Sequence, residues 1–212
     1  MKKIMLTAIF IACCASLGLA QEKSKVEGYV GFSVDSIDTG LQTSLQGTGL
    51  TATNADNRET GIGFQTSVTG FFNDKFGIEG NVDGNYKNKT FTVSDGVTTA
   101  DFRARISSYN FMAGPHVRFV SADSKVTPFV HALIGANHTR LTGSALGITE
   151  RDSQTDLALK LGGGVDFGLS NRVDLRLAGD YNPIFERNSN NGFTNNNRTR
   201  NDAIFSVGVV IK

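Results

Sequence analysis

Three histidines, His116, His131 and His138, are the side chains of this 212-residue sequence best suited to acid–base and nucleophilic chemistry. A histidine that met Ser108 and Asp123 could activate the serine for acyl transfer, provided the three side chains lay within hydrogen-bond reach. However, no Gly-x-Ser-x-Gly elbow occurs in the sequence. The histidines also lack the His-x-x-x-His or histidine–carboxylate spacing of a zinc site. The sequence therefore predicts no catalytic residue, no metal site and no cofactor.

Nine charged residues form a second set, because each lies on the polar side of a segment with alternating character. They are Glu27, Glu79, Asp83, Arg118, Lys160, Asp166, Asp174, Arg176 and Asp180. An unpaired charge is costly in an enclosed interior, so we expect the acidic and basic members to pair. The set thus predicts a structural network of ion pairs. A gated polar channel lined by the same charges is the alternative.

The elements that position these side chains are segments in which apolar residues occupy every second place. In one of them Phe76, Ile78 and Val82 alternate with Glu79 and Asp83. This period of two is that of a β-strand whose two faces meet different surroundings. Eight such segments span residues 26–35, 62–72, 76–87, 108–119, 127–137, 157–167, 173–185 and 203–212.

The connections between these segments alternate in length. Short links fall at 73–75, 121–125 and 170–171, and long polar links fall near 36–58, 88–102, 142–155 and 187–200. All short turns therefore lie at one end of the predicted sheet and all long loops at the other. That arrangement is an up-and-down meander of neighbouring antiparallel strands.

The chemistry of the two faces decides between a membrane barrel and a soluble barrel. The polar face combines charges of both signs with glycines such as Gly162 and Gly164, which suits a crowded interior. The opposite face carries Val, Leu, Ile, Phe and Tyr, which suits lipid, where a sheet must also close. We predict an all-β fold: an eight-stranded antiparallel up-and-down transmembrane β-barrel with short periplasmic turns and long extracellular loops. A soluble lipocalin-like ligand-binding barrel, with the apolar face inside, is the alternative.

The first twenty residues have the pattern of a secretory signal peptide. Lys2 and Lys3 precede an apolar stretch over 4–15, and small residues before Gln21 fit signal-peptidase cleavage. We predict that 1–20 is a cleaved signal peptide and 21–212 a single outer-membrane barrel domain. Cleavage removes two of the 21 basic residues, leaving 19 against 20 acidic ones, and removes both cysteines. This composition excludes thiol chemistry and gives no support for binding nucleic acid.

Several stretches carry a resemblance to a known family. They are Pro-Phe-Val-His-Ala-Leu-Ile-Gly at 128–135, Leu-Gly-Gly-Gly-Val-Asp at 161–166, Asp-Leu-Arg-Leu at 174–177 and Phe-Ser-Val-Gly-Val-Val at 205–210. On these stretches the chain resembles the small eight-stranded outer-membrane β-barrels of the OmpA-type transmembrane and opacity-protein kind. The resemblance implies a place in the bacterial outer membrane, contact with its lipid and lipopolysaccharide, and insertion by the barrel-assembly machinery. Members usually end in an aromatic residue, whereas this chain ends in Lys212.

The sequence therefore indicates an integral outer-membrane barrel with a structural or surface-interaction role rather than a catalytic one. A small-solute, porin-like channel and a lipid-modifying outer-membrane enzyme are the alternatives within the membrane. The long polar loops would carry any recognition of an extracellular partner, since loops on a rigid scaffold commonly do so. They contain no motif that identifies such a ligand.

Overall fold

The structure is a computed structural model that describes residues 26–38, 51–53, 58–94, 99–120, 124–145, 148–186 and 198–212. The predicted signal peptide at 1–20 lies outside the described residues and stays a prediction. Much of two predicted loops, at 39–50 and 187–197, also lies outside them. None of the described residues forms a helix long and apolar enough to cross a membrane.

Eight long strands close into a barrel, and one short strand is added outside the ring. The strands are β1 (Val26–Asp38), β2 (Thr51–Thr53), β3 (Arg58–Phe71), β4 (Phe76–Ser94), β5 (Thr99–Arg118), β6 (Val126–Ala145), β7 (Ile148–Gly168), β8 (Val173–Glu186) and β9 (Arg198–Ile211). Around the ring the order is β1, β3, β4, β5, β6, β7, β8 and β9, and β9 pairs back onto β1. Every pairing is antiparallel, and β2 pairs only with the far end of β4. The predicted eight-stranded up-and-down barrel is confirmed.

The three short links lie together at one end of the barrel, which we call the turn end; the opposite end is the loop end. Between β3 and β4, the Asn73 side chain accepts hydrogen bonds from the backbone N–H groups of Lys75 and Phe76, at 2.9 and 2.8 Å. Such an Asx turn reverses the chain within a few residues. The N–H of Phe72 then donates to the carbonyl of Phe76 at 2.9 Å, which closes the hairpin.

Two of the four predicted long loops are largely strand. Most of 88–102 belongs to β4 and β5, and most of 142–155 belongs to β6 and β7, where the two strands of each pair continue as a hairpin beyond the apolar band. The polar composition of these stretches predicts loops, whereas their backbone pairs as strand over most of their length. Thr90, Thr92 and Val93 are β-branched, which favours extended pairing.

Most of the large apolar side chains lie on the outside of the barrel, and most of the buried side chains are polar or charged. A small apolar cluster inside the barrel is formed by Met112, Leu133, Ala158 and Ile184. Phe32 and Phe72 are 76% and 74% exposed, whereas Lys160 and Asp83 are fully buried. This inversion excludes the soluble lipocalin-like alternative. Phe76 and Tyr86, two exposed aromatic residues of β4, are ten residues apart, which is about 34 Å along the strand. With a tilt of about 40°, the rise is about 26 Å, close to the ~25 Å apolar band of outer-membrane barrels.

Tyrosines mark the upper edge of this apolar band on three strands. The hydroxyl of Tyr109 donates to that of Tyr86 at 3.0 Å, and the two rings meet edge to face at 5.8 Å. Tyr181 is also exposed and donates to the Asn201 side chain at 2.6 Å. Tyr29, which the alternation places on the polar face, is buried in the interior. The outward tyrosines fit a membrane–water interface, where a ring with one polar end is favoured.

Candidate functional site in the barrel interior

All nine charged residues singled out from the sequence lie inside the barrel, and none is more than 6% exposed. They are Glu27, Glu79, Asp83, Arg118, Lys160, Asp166, Asp174, Arg176 and Asp180. Each occupies an inward position because side chains alternate across a strand. An eight-stranded barrel leaves an interior just wide enough to be filled by side chains. The arrangement of these charges therefore determines what the interior can do.

The layer nearest the turn end contains three ion pairs, two of which use arginine. Arg118 of β5 contacts Glu27 of β1, and its guanidinium lies 3.6 Å from the centre of the Phe71 ring. Arg176 holds Asp166 of the neighbouring strand through two hydrogen bonds of 2.7 and 2.8 Å. Such two-pronged Arg–carboxylate contacts are among the strongest and most directional in proteins.

The chain ends in a third pair of the same layer. The ammonium group of Lys212 lies 2.6 Å from Asp174, and its backbone N–H donates to the carbonyl of Arg172 at 3.0 Å. Lys212 therefore neutralises one of the predicted interior carboxylates. The alternation places Lys212 on the polar side of the segment 203–212, but it does not identify Asp174 as its partner.

A fourth ion pair crosses the middle of the barrel. Lys160 of β7 contacts Asp83 of β4, and its ammonium also donates to Asn81 at 3.1 Å. Asp83 accepts a further hydrogen bond of 2.6 Å from the Asn110 side chain. Because both charged groups are fully buried, each compensates the other for the favourable interaction with water that it loses on burial.

A histidine–carboxylate centre lies between these layers. One oxygen of Glu79 is 2.8 Å from Nδ1 of His116 and 2.9 Å from Nδ1 of His131. The other nitrogen of His131 is 2.9 Å from Asp180, which also accepts a hydrogen bond of 3.2 Å from Gln65. Glu79 and Asp180 therefore pair with histidines, although the sequence suggested pairing with lysine or arginine.

Aromatic rings hold His116 in place. Its ring stacks on Phe129 at a centroid distance of 4.8 Å and meets Phe71 edge-on at 5.6 Å. Nε2 of His116 is buried without a hydrogen-bond partner. On the opposite side of the centre, Gly162 leaves space for Asp180, because a Cβ atom at this glycine would collide with the carboxylate.

The centre brings together residues that the sequence analysis did not predict to be in contact. His116 and His131 face one another directly in the β5–β6 register, and Glu79 reaches them from β4. The ligand atoms of the three lie within 4.8 Å of one another. His138 is separate, on the outer surface, where it hydrogen-bonds Thr155 at 2.9 Å. Spacing rules within one strand could not find a group whose members come from three strands.

No serine–histidine pair is assembled among the described residues. Ser108 lies eight residues along β5 from His116, which is about 27 Å. Its hydroxyl instead accepts hydrogen bonds from Asn137 at 2.7 Å and Arg200 at 3.3 Å. Asp123, the acid considered with it, lies outside the described residues.

Arg200 organises a layer near the loop end that sequence reasoning missed. It lies 3.1 Å from Asp202 and 3.5 Å from Glu186, and it reaches Thr139 at 3.3 Å. The sequence placed Arg200 in a predicted loop, whereas it lies in β9. A usable signal was present, because Arg200, Asp202 and Ile204 continue the inward alternation of that strand.

The comparisons with known proteins agree with this architecture. The structure resembles that of Ail, the attachment invasion locus protein of Yersinia pestis, with a TM-score of 0.53 and 15% identity over 89% of this chain and 99% of that one. Ail is also known in complex with the heparin analogue sucrose octasulfate. Neisserial surface protein A resembles this structure with a TM-score of 0.55 and 18% identity, over 89% of this chain and 97% of that one. The outer-membrane protease OmpT of Escherichia coli resembles it with a TM-score of 0.51 and 6% identity, over 92% of this chain and 99% of that one.

At these identities the likeness to solved structures establishes the fold alone. No curated protein matches the chain by sequence. The model of the outer membrane protein β-barrel domain family, however, matches residues 5–212. Together with the closed barrel and its apolar outer surface, this match shows that the chain belongs to the outer membrane protein β-barrel domain family and is located in the bacterial outer membrane.

Proposed function

We propose that the protein is a non-catalytic, non-conducting outer-membrane scaffold that presents its extracellular segments to partners outside the cell. The observation that carries this proposal is a series of contacts across the lumen. Arg200 of β9 reaches Ser108 of β5, which lies directly opposite it in the eight-stranded ring. Lys160 and Asp83 join strands that are three positions apart around the ring, nearer the middle of the barrel.

Two further contacts span the same number of strands towards the turn end. Gln65 of β3 reaches Asp180 of β8, and Arg118 of β5 reaches Glu27 of β1. A pathway for solutes would have to pass contacts at successive levels, each made by buried side chains. Breaking such a pair by moving one partner away leaves an uncompensated buried charge, which costs several kcal/mol. The paired interior therefore favours a plug over the small-solute channel.

Planar-bilayer recordings of the purified mature chain test the plug. We expect no current steps above leak at voltages at which a larger porin, inserted into the same bilayer, conducts. Liposome swelling in small sugars should likewise match that of empty vesicles. Reproducible current steps from the wild-type protein would contradict the plug and restore the channel interpretation.

The non-catalytic part of the proposal rests on the interior chemistry of the described residues. Ser108, the serine considered as a nucleophile, accepts hydrogen bonds from Asn137 and Arg200 and lies far from both interior histidines. A protease shares the fold at 6% identity, so the fold itself does not separate enzymes from other barrels. We expect that expression of the protein leaves the mass of lipid A unchanged and that no peptide is cleaved. A modified lipid A or a cleaved peptide would overturn this part.

The surface-interaction role is supported by the shape of the loop end. The β4–β5 and β6–β7 hairpins continue beyond the apolar band as paired strands and provide a rigid base for the extracellular segments. In Ail, a barrel of this fold, the name records attachment and a heparin analogue is bound. We expect immobilised heparin or an extracellular-matrix extract to retain the wild-type protein. Deletion of 188–198 should abolish retention while the heat-dependent gel shift of the folded barrel persists. Equal retention of both proteins would argue against recognition by that loop.

Lipopolysaccharide is the proposed partner at the membrane surface. Arg105 and Arg140 are exposed on the outer wall, two register positions apart on β5 and β6, just beyond the Tyr86–Tyr109 pair. Two guanidinium groups at this height suit the phosphates of the outer leaflet. We expect Arg105→Ala with Arg140→Ala to lower co-purification of lipopolysaccharide without changing folding. We also expect depletion of the barrel-assembly machinery to lower the amount of folded protein in the outer membrane.

A further inference from the structure

We propose that Glu79, His116 and His131 form a binding site for one divalent first-row transition-metal ion, for which Zn²⁺ is the probe. The three side chains are buried, and their ligand atoms lie within 4.8 Å of one another. Two imidazole Nδ1 atoms converge on a single carboxylate oxygen, at 2.8 and 2.9 Å. Two histidines and one glutamate are a donor set that zinc uses in proteins, with a further position left for water.

The spacing of the three donor atoms suits an ion of this size. Zinc binds imidazole nitrogen and carboxylate oxygen at about 2.0–2.2 Å. At a bond length of about 2.1 Å, two ligands are about 3.0 Å apart in octahedral and about 3.4 Å apart in tetrahedral geometry. The two nitrogen–oxygen distances therefore need to lengthen by a few tenths of an ångström, and the two nitrogens, which lie within 4.8 Å of one another, need to come to about 3.0–3.4 Å. Small tilts of the rings and of the carboxylate provide such a movement.

The second nitrogen of His131 has the partner that a metal-bound histidine usually has. Its Nε2 lies 2.9 Å from Asp180, whose own orientation is set by Gln65 at 3.2 Å. A carboxylate at this place fixes the proton on Nε2 and directs the lone pair of Nδ1 towards the metal. Asp180 is thus a positioning residue, and Gly162 provides the space in which it sits.

His116 is held firmly and yet can present a lone pair at Nδ1. Phe129 and Phe71 fix the plane of its ring. Without a metal, Nδ1 carries a proton that it donates to Glu79, and a metal would displace that proton. Nε2 has no hydrogen-bond partner, so nothing there prevents it from carrying the remaining proton of the ring. With the proton on Nε2, Nδ1 is available as a ligand.

The charges of the centre also suit a divalent cation. Two carboxylates, Glu79 and Asp180, contact two imidazoles. The two nearby cations each have a carboxylate of their own, since Lys160 contacts Asp83 and Arg176 contacts Asp166. The two carboxylates can be balanced by protons on the two rings or by one M²⁺ ion. On binding, each N–H bond at Nδ1 is replaced by a metal–nitrogen bond, and the displaced protons leave to solvent without any change of oxidation state.

The ion would act as a structural clamp. Its three ligands come from β4, β5 and β6, and the Asp180 contact adds β8. Because the centre is enclosed by the folded barrel, we expect the ion to enter while the barrel closes. A ligand that binds only the folded state raises the apparent stability of that state. The heat-dependent gel shift should therefore move to a higher temperature when folding occurs with Zn²⁺.

The test uses the mature chain without a histidine tag, unfolded in urea and refolded into detergent with Zn²⁺ or with EDTA. After desalting, we expect the zinc-refolded protein to retain one zinc per chain by mass spectrometry and to unfold at a higher temperature. Glu79→Gln and His116→Gln should lose the zinc. His138→Gln, the matched control on the outer wall, should keep it. Asp180→Asn should lower the affinity by roughly 10–100-fold, as loss of such an outer partner commonly does.

Cobalt substitution gives a readout that needs no variant. Refolding of the wild-type chain with Co²⁺ should produce visible absorption bands of nitrogen- and oxygen-ligated Co²⁺ that persist after desalting. Absence of retained zinc and of these bands in folded wild-type protein would overturn the proposal. A Glu79→Gln protein that folds and retains as much zinc as wild type would also overturn it. In either case the three side chains would form a hydrogen-bonded part of the plug.

Discussion

Replacing Lys160 by methionine tests whether the interior ion pairs stabilise the barrel. Methionine has nearly the length of lysine, so the change removes the charge while largely keeping the volume. Lys160 contacts Asp83 and donates to Asn81 at 3.1 Å, and it is fully buried. After substitution, Asp83 keeps the 2.6 Å hydrogen bond from Asn110 but loses its only described cationic contact.

The expected size of the effect follows from this loss. Removing one partner of a buried ion pair costs about 3–5 kcal/mol, because the other charge stays buried without compensation. The remaining Asn110 contact places the expected loss near the lower value, about 3 kcal/mol. The double variant Lys160→Met with Asp83→Asn removes both charges, and its cost should be much smaller than the sum of the two single variants.

The free energy of unfolding can be followed by circular dichroism and by the heat-dependent gel shift during urea titration in lipid vesicles. Tryptophan fluorescence is not an option, since the chain contains no tryptophan. With a slope of about 1–3 kcal/mol per molar urea, a loss of about 3 kcal/mol lowers the midpoint by about 1 M or more. His138→Gln, on the outer wall, is the control that should leave the midpoint in place.

Two results would refute the reasoning. If Lys160→Met changed the free energy of unfolding by less than about 0.5 kcal/mol, the pair would be behaving as an exposed surface pair does. If the losses of the single variants simply added in the double variant, Lys160 and Asp83 would not be coupled.

Three further substitutions probe the interior and the outer wall. Arg176→Ala leaves Asp166 buried without its two hydrogen bonds, so the temperature of the heat-dependent gel shift should fall; an unchanged temperature would contradict the network. Gly208→Val introduces a Cβ against the backbone of Val30 and Gly31 on the neighbouring strand and should lower the yield of folded protein on refolding, whereas normal yield would show that this backbone can shift. Val207→Arg places a charge on the lipid-facing wall and should cost about 2–4 kcal/mol in lipid vesicles; a negligible cost would mean that this position does not face lipid.

The fold was predictable because its main signal is local. Inward and outward positions alternate along every strand, and the short turns fix which strands are neighbours. The extent of the strands was not predictable in the same way. The stretches 88–102 and 142–155 lack a regular apolar alternation in the sequence and are therefore predicted as loops, although most of their residues pair as antiparallel strands.

The sequence could predict which charged residues face the interior, but it could not predict which residues contact one another there. Alternation places Glu79, His116 and His131 on one side of their strands, yet the distances among them depend on register between strands. His116 and His131 face one another only because of the β5–β6 register, and much of the link that sets it, at 121–123, lies outside the described residues. A shift by one residue would turn one histidine to the outer wall.

The contacts across the lumen connect strands that backbone hydrogen bonds cannot connect. A β-ladder joins each strand only to its two neighbours, so it fixes the circumference of the ring more strongly than its cross-section. Arg200–Ser108, on opposite strands, resists flattening near the loop end, and Arg118–Glu27 does so near the turn end. Since lipid outside offers no alternative partner for these groups, the polar pairs are retained where a water-soluble barrel would use an apolar core. Under the proposed function, the side chains that close the lumen to solutes are the same ones that hold the loop end in a fixed shape for presentation of its extracellular segments.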